Sequence, residues 1–186
     1  ATVENDATGK IAYPTIKDTL TDVGTHTYTV EETSTNGKGI TVDTNVYTVT
    51  IEVSDNGDGT LTVTASENAT ELCFTNTYAA EGAIILAGTK SLSGRALNAG
   101  EFSFELYDAE GNLVQTATND ANGAFAFEKI KYDLDDAGKT FIYKVKELAG
   151  DVAGVTYDET VITVKVEVDD VGGKLSATLT ADSEAI

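Results

Sequence analysis

The sequence predicts an antiparallel all-β protein built from sandwiches, and three observations carry that prediction. Segments of five to eight residues alternate apolar and polar side chains, the pattern of strands with one face buried. Between them stand the turn-forming clusters GKG, DNGDG, EGN and DVGG. No long window carries the period of an amphipathic helix, and Pro14 is the only proline.

Taken in order, the first clear strands are HTYTVEE, from His26, and VYTVTIEV, ending at Val53. Alternate side chains of a strand face the same way, so His26, Tyr28, Val30 and Glu32 share a face. His26 has no second ligand type beside it, which argues against a metal or a catalytic triad. The cluster from Asp55 to Gly59 reads as a hairpin turn, because it lacks the later bidentate glutamate of a calcium loop. In LCFTNTY the residues Leu72, Phe74, Asn76 and Tyr78 share a face, which puts Asn76 on an apolar side. Cys73 has the opposite parity and reads as a small buried or half-buried filler. In IILAGTKSL, Ile84, Leu86, Lys90 and Leu92 share parity across Gly88. Phe141, Tyr143, Val145 and Glu147 do the same in FIYKVKE, and VITVKVEV follows, ending at Val168.

The last two strands repeat the first two. Phe141 to Glu147 matches His26 to Glu32 at an offset of 115, with Glu147 standing where Glu32 stood. Asn5, Asp6 and Gly9 return as Asn119, Asp120 and Gly123, and Leu61 returns as Leu175. Residues 1–78 are expected to be the C-terminal two-thirds of a first sandwich repeat. Residues 79–186 are expected to be a second repeat without its last strand, the counterpart of Cys73 to Tyr78. A sandwich that loses an end strand exposes an unpaired edge and part of its core. The missing strands are therefore expected either from a longer tandem array or from neighbouring chains, as in donor-strand assembly.

Composition sets the outer limits. With 186 residues, 41% of them hydrophobic, there is room for one large or two small cores. No run of 18 apolar residues exists to span a membrane, and the first residues given do not look like a signal peptide. Twelve basic residues against 31 acidic ones, a formal charge of -19, give no field for nucleic acid. One cysteine allows no internal disulfide, which leaves secretion open for a fold stapled by something other than sulfur. The absence of methionine suggests a processed product or a piece of a longer chain.

Three polar residues aimed at apolar faces are the candidates for chemistry: Lys90, Asn76 and a glutamate present twice, as Glu32 and Glu147. Burying a carboxylate costs several kcal/mol unless the group is neutralised or paired. In an apolar pocket an amine gives up its proton more readily and becomes a nucleophile, while a carboxylic acid keeps its proton and can polarise a carboxamide. A lysine, a glutamate and an asparagine together therefore suit formation of a Lys to Asn amide with loss of ammonia. The reaction needs no cofactor and occurs once per domain, so the chain is not expected to be a turnover enzyme.

The run GTKSLSGRALNAGEFSFELYDAEGNLVQTATNDANGAFAFEKI, with YKVKE, GVTYD and FTNTY, resembles the isopeptide-linkage domain of Gram-positive pilin shaft proteins. The resemblance covers nearly the whole chain. It implies tandem Ig-like, CnaB-like sandwiches in which Lys90 is the amine, Glu147 its acid, Glu32 the acid of the first copy and Asn76 that copy's amide partner. No single copy holds all three residues, since alignment places the second asparagine about four residues beyond Ile186. A site could be completed by neighbouring sequence, by a second chain, or by Lys90 joining Asn76. The implied function is a structural cell-surface protein, a pilus shaft or adhesin stalk in the wall of a Gram-positive bacterium, whose partners are neighbouring repeats or like subunits. The alternative is an adhesin module that binds a host surface ligand, with the cross-link as scaffold.

Overall fold

The computed structural model describes all 186 residues, and its regular structure is almost wholly β-strand. In chain order these are β1 (Gly24–Glu31), β2 (Ile40–Thr41), β3 (Val46–Asp55), β4 (Leu61–Ala65), β5 (Thr77–Tyr78), β6 (Gly82–Ile84) and β7 (Ala87–Thr89). They continue as β8 (Ser103–Tyr107), β9 (Leu113–Thr118), β10 (Ala124–Ala126), β11 (Ile130–Tyr132), β12 (Lys139–Glu147), β13 (Val161–Asp170) and β14 (Leu175–Leu179). Every pairing is antiparallel, and helix is confined to short 3-10 turns at Leu20–Asp22, Glu67–Thr70 and Leu134–Asp136.

The chain forms two compact units, residues 1–34 with 42–76, and residues 35–41 with 77–186. Residues 35–41 thus group with the second unit. Their backbone explains this: Ile40 and Thr41 pair with Tyr78 and Thr77, and the Ala79 N–H donates to the Gly39 carbonyl.

The second unit is two-layered. One layer is the sheet β14-β13-β12-β8-β9, and the other is made of the short pairs β10-β7 and β11-β6. Alternation decides the inner face, as along β13 Val164, Val166 and Val168 are fully buried while Glu167 is exposed. Phe104 and Leu106 of β8 and Tyr143 and Val145 of β12 join them, and Leu86, Phe125, Phe127 and Tyr132 close the core from the other layer. Phe104 stacks on Phe125 with ring centroids 3.7 Å apart. Inside, the hydroxyls of Tyr132 and Tyr143 lie 3.0 Å apart, and burial pushes both phenols up.

The first unit is a three-stranded sheet, β1-β3-β4, whose register repeats that of β12-β13-β14. Gly24 faces Val53 as Lys139 faces Val168, and Val53 faces Val63 as Val168 faces Ala177. The turns repeat as well: the Asp6 carboxylate accepts from the Thr8 and Lys10 N–H groups, as Asp120 accepts from Asn122 and Ala124. Only the sheet and its turns are duplicated, so its inner face is poorly covered. Val49 and Val53 are buried, but Tyr28 is 37% exposed where its counterpart Tyr143 is 7% exposed.

Residues 72–76, read from the sequence as part of a strand, form no ladder, and strand geometry is confined to Thr77 and Tyr78. No counterpart of β7 within this unit offers them a backbone partner. Cys73 is accordingly an exposed free thiol and not the buried or half-buried filler expected of it. His26 has a structural role, its Nε2 lying 2.6 Å from the Asp22 carbonyl. The segment Asp55 to Gly59 is the β3-β4 turn, closed by the Asn56 N–H on the Thr60 carbonyl.

Asn119 is the one fully buried polar residue of the core. Its Oδ1 accepts from the Phe102 N–H at 2.8 Å, and its Nδ2 donates to the carbonyls of Asn98 and Asp120. Its counterpart Asn5 is exposed, with a side-chain bond only to Asp6. Asn119→Ala leaves the Phe102 donor without this partner and should cost about 2 to 4 kcal/mol in urea unfolding, whereas Asn5→Ala should stay within about 0.5 kcal/mol.

Candidate functional site

In the second unit the site forms where β7 and β12 end. Lys90 follows β7 and is held by its own backbone, its N–H donating to the Gly123 carbonyl at 2.7 Å. Gly123 has φ +90°, and a Cβ there would lie 2.1 Å from the Lys90 carbonyl oxygen. Gly9, the same turn glycine in the first unit, has φ +85° but no atom within 4 Å of such a Cβ. The repeat therefore keeps a turn residue that has to be glycine for close packing only where the lysine strand is present. Gly88 is needed for a similar reason, since a Cβ would meet Ile186 at 2.4 Å and Phe125 at 2.8 Å.

The Lys90 ammonium nitrogen lies 2.8 Å from Glu147 Oε2, with side chains 12% and 4% exposed. It also sits 4.7 Å from the centroid of the Phe102 ring. The Asp158 N–H donates to the same Oε2 at 3.0 Å, while Glu147 Oε1 is buried without a hydrogen-bond partner. These groups border a cavity of about 90 Å³ that is also lined by Phe125, Thr160 and Ile186. Asp158 is fixed in turn by Thr160, whose hydrogen bonds hold its carboxyl below the usual aspartate range, with the charge of Lys90 helping.

The first unit carries the complementary arrangement. Asn76 Nδ2 donates to Glu32 Oε1 at 2.9 Å, and Glu32 Oε2 is buried without a partner. The carboxamide oxygen of Asn76 accepts from the Asp43 N–H at 2.8 Å. Asp43, the counterpart of Asp158, uses its carboxylate to accept from the Thr75 N–H at 2.7 Å and the Asn45 N–H at 2.8 Å. These backbone bonds, Thr75 first, hold the Asp43 carboxyl below its usual range. The segment carrying Asn76 is further tied by the Tyr47 hydroxyl, which donates to the Cys73 carbonyl at 2.5 Å.

The four residues singled out from the sequence thus fall into two pairs, Lys90 with Glu147 and Asn76 with Glu32, each inside its own unit. Asn76 itself is largely exposed, although it sits on the apolar parity of its segment. Asp43 and Asp158 were missed by the sequence reading. The repeat carries a signal for them, because DTN at Asp43 and DET at Asp158 stand at the offset that relates the glutamates. No group of three or more histidine, cysteine or acidic side chains is arranged to hold a metal, and no helix is long and apolar enough to cross a membrane.

The second unit thus carries a buried lysine-glutamate pair, and the first unit an asparagine-glutamate pair at the repeated position. The chain belongs to the FctA family, the Spy0128-like isopeptide containing domain, whose family model matches residues 2–79 and 86–186. This is a pilin-type structural family and not one of catalytic enzymes. No curated protein matches the chain significantly.

Two measurements check this geometry. Lys90→Met leaves the Glu147 carboxylate buried and unpaired and should destabilise the second unit by about 3 to 5 kcal/mol in chemical unfolding, and adding Glu147→Leu should recover most of that loss. The Asp43 carboxyl, lowered in the folded state, stabilises the first unit above about pH 4, and this contribution should vanish as pH falls through the lower folded value. NMR should show the Thr75 and Asn45 amide shifts titrating together below the ordinary aspartate range, and Asp43→Asn should remove that transition.

Proposed function

We propose that the chain is part of a Gram-positive cell-surface fibre, a pilus shaft or adhesin stalk, whose β-sandwich repeats are locked by self-formed Lys to Asn isopeptide bonds. The observation that carries this reading is the matched occupancy of the two glutamates. Each has one oxygen engaged and one buried oxygen without a partner, and the engaged partner is lysine in one copy and asparagine in the other. Superposed by the repeat, the two half-sites describe a lysine amine and a carboxamide on the same carboxylate.

The chemistry follows from that juxtaposition. The carboxylate takes a proton from the lysine Nζ, and the neutral amine attacks the asparagine Cγ. The C=O electrons move onto oxygen, then return as the C–N bond to the carboxamide nitrogen breaks. The glutamic acid gives its proton to that nitrogen, and the second proton lost by Nζ passes through the carboxylate to the departing ammonia, which leaves as ammonium. One C–N bond forms, one breaks, and Glu147 is regenerated, having acted once as acid and base. Glu32 has the same role toward Asn76 with a lysine from elsewhere.

Because Lys90 and the asparagine stand on the first and last strands of a repeat, the bond would carry tension between neighbouring domains covalently. By analogy with a disulfide that closes a loop of about 100 residues, it would also add roughly 4 to 5 kcal/mol through the unfolded state. The asparagine for Lys90 would come from a neighbouring repeat or from a like subunit by strand complementation. The poorly covered face of β1-β3-β4 supports the same mode of assembly for the first unit.

The test uses the chain with a synthetic peptide copying Leu72–Ala79 under reducing conditions. An SDS-resistant adduct should form whose mass is the sum of the two less one ammonia. Lys90→Arg and Glu147→Ala should give none. Adduct from either variant would remove that residue from its assigned role.

A further inference from the structure

The two glutamate pairs leave one group of the reaction without a protein partner, the carboxamide oxygen that becomes negative as the amine attacks. The first unit provides that partner. The carboxamide oxygen of Asn76 receives the backbone N–H of Asp43, while Asn76 Nδ2, the leaving nitrogen, lies on Glu32. The donor therefore already points at the atom on which charge would develop, from the side opposite the proton carrier. The same residue fixes the approach of the segment, because its carboxylate holds the N–H of Thr75, the residue just before the asparagine.

We infer that Asp158 is the corresponding positioning residue of the Lys90 site, its carboxylate clamping the N–H before the incoming asparagine and its own N–H receiving the carboxamide oxygen. The inference rests on the isopeptide reading of that site. In the second unit the carboxylate of Asp158 is oriented as in Asp43, with Oδ1 taken by the Thr160 N–H as Asp43 Oδ1 is taken by Asn45. Its N–H now donates to Glu147 Oε2, the oxygen that also holds Lys90. Arrival of a carboxamide would transfer that N–H from the glutamate to the amide oxygen, as in the first unit. The glutamate oxygen then loses one of its two donors at the moment it has to accept the lysine proton. The clamp and the donor belong to one residue, so register of the strand and stabilisation of the oxyanion are set together.

A misplaced reacting group loses rate far more than binding, so the clamp can be read in a single assay. The Leu72–Ala79 peptide is titrated against the chain, and the limiting rate of adduct formation and the half-saturating peptide concentration are measured. Asp158→Ala should lower the limiting rate at least about tenfold, and Asp158→Asn, which keeps one acceptor oxygen, should lose less. On the unaltered chain, a peptide with N-methylthreonine in place of the residue before its asparagine removes the clamped donor and should lose rate to a similar extent. Combining Asp158→Ala with the methylated peptide should add nothing further, an outcome that a general loss of structure would not give. Unchanged limiting rates for both Asp158 variants, or fully additive losses, would overturn the role of Asp158 and leave Lys90 and Glu147 standing. No adduct with the unaltered chain and unmodified peptide would overturn the site reading and this inference together.

Discussion

A carboxylate buried at the end of a strand is the constraint around which this molecule is arranged. Such a group is costly to desolvate unless charge or hydrogen bonds compensate it. At Glu147 the compensation comes from the Lys90 ammonium and the Asp158 N–H on one oxygen, beside a small cavity lined by both apolar and threonine side chains. To bring those groups together, β7 has to end beside β12. That requires Gly123 beneath the lysine backbone, and Gly88 under Ile186 and Phe125. The two-layered core of valines and phenylalanines then holds the pair in register, because a strand cannot slip by one residue without turning its buried face to water.

The two units show what the duplicated sequence can do with and without covering strands. Their sheets share register and turn chemistry down to the aspartate of each tight turn. Yet Asn119 is buried at the heart of one and Asn5 is exposed in the other, because only the second unit contains Asn98 and Phe102 to receive it. Related local sequence therefore yields matching register and turn geometry with different energetics. The same contrast runs through the glutamates: equal placement on equal strands, with lysine on one and asparagine on the other.

Membership of an isopeptide-containing family gives this pairing a chemical setting. The geometry adds a division of labour. Glu147 faces the lysine nitrogen and Glu32 the asparagine nitrogen, while the backbone N–H of Asp43 faces the asparagine carboxamide oxygen. In the proposed amide exchange a proton carrier and a stabiliser of negative charge are needed in different places, and one strand end with one adjacent loop would provide both.

Much of this was legible in the sequence. The period of two, the turn clusters and the offset repeat determined an all-β fold and the equivalence of Glu32 with Glu147. Parity placed Lys90, Glu147 and Asn76 on apolar sides, because alternation is a local property of an extended backbone. Asp43 and Asp158 were not legible as partners, since they act through backbone donors whose direction depends on how a loop returns to the strand end. Cys73, expected as a buried or half-buried filler from its residue type, is exposed, because a small apolar residue type does not say whether a segment without ladder partners is covered. The sequence by itself determined which residues repeat and which way each strand faces. Only the tertiary structure decided which glutamate oxygen meets which partner, because that depends on contacts between segments far apart in the chain and not on spacing along it.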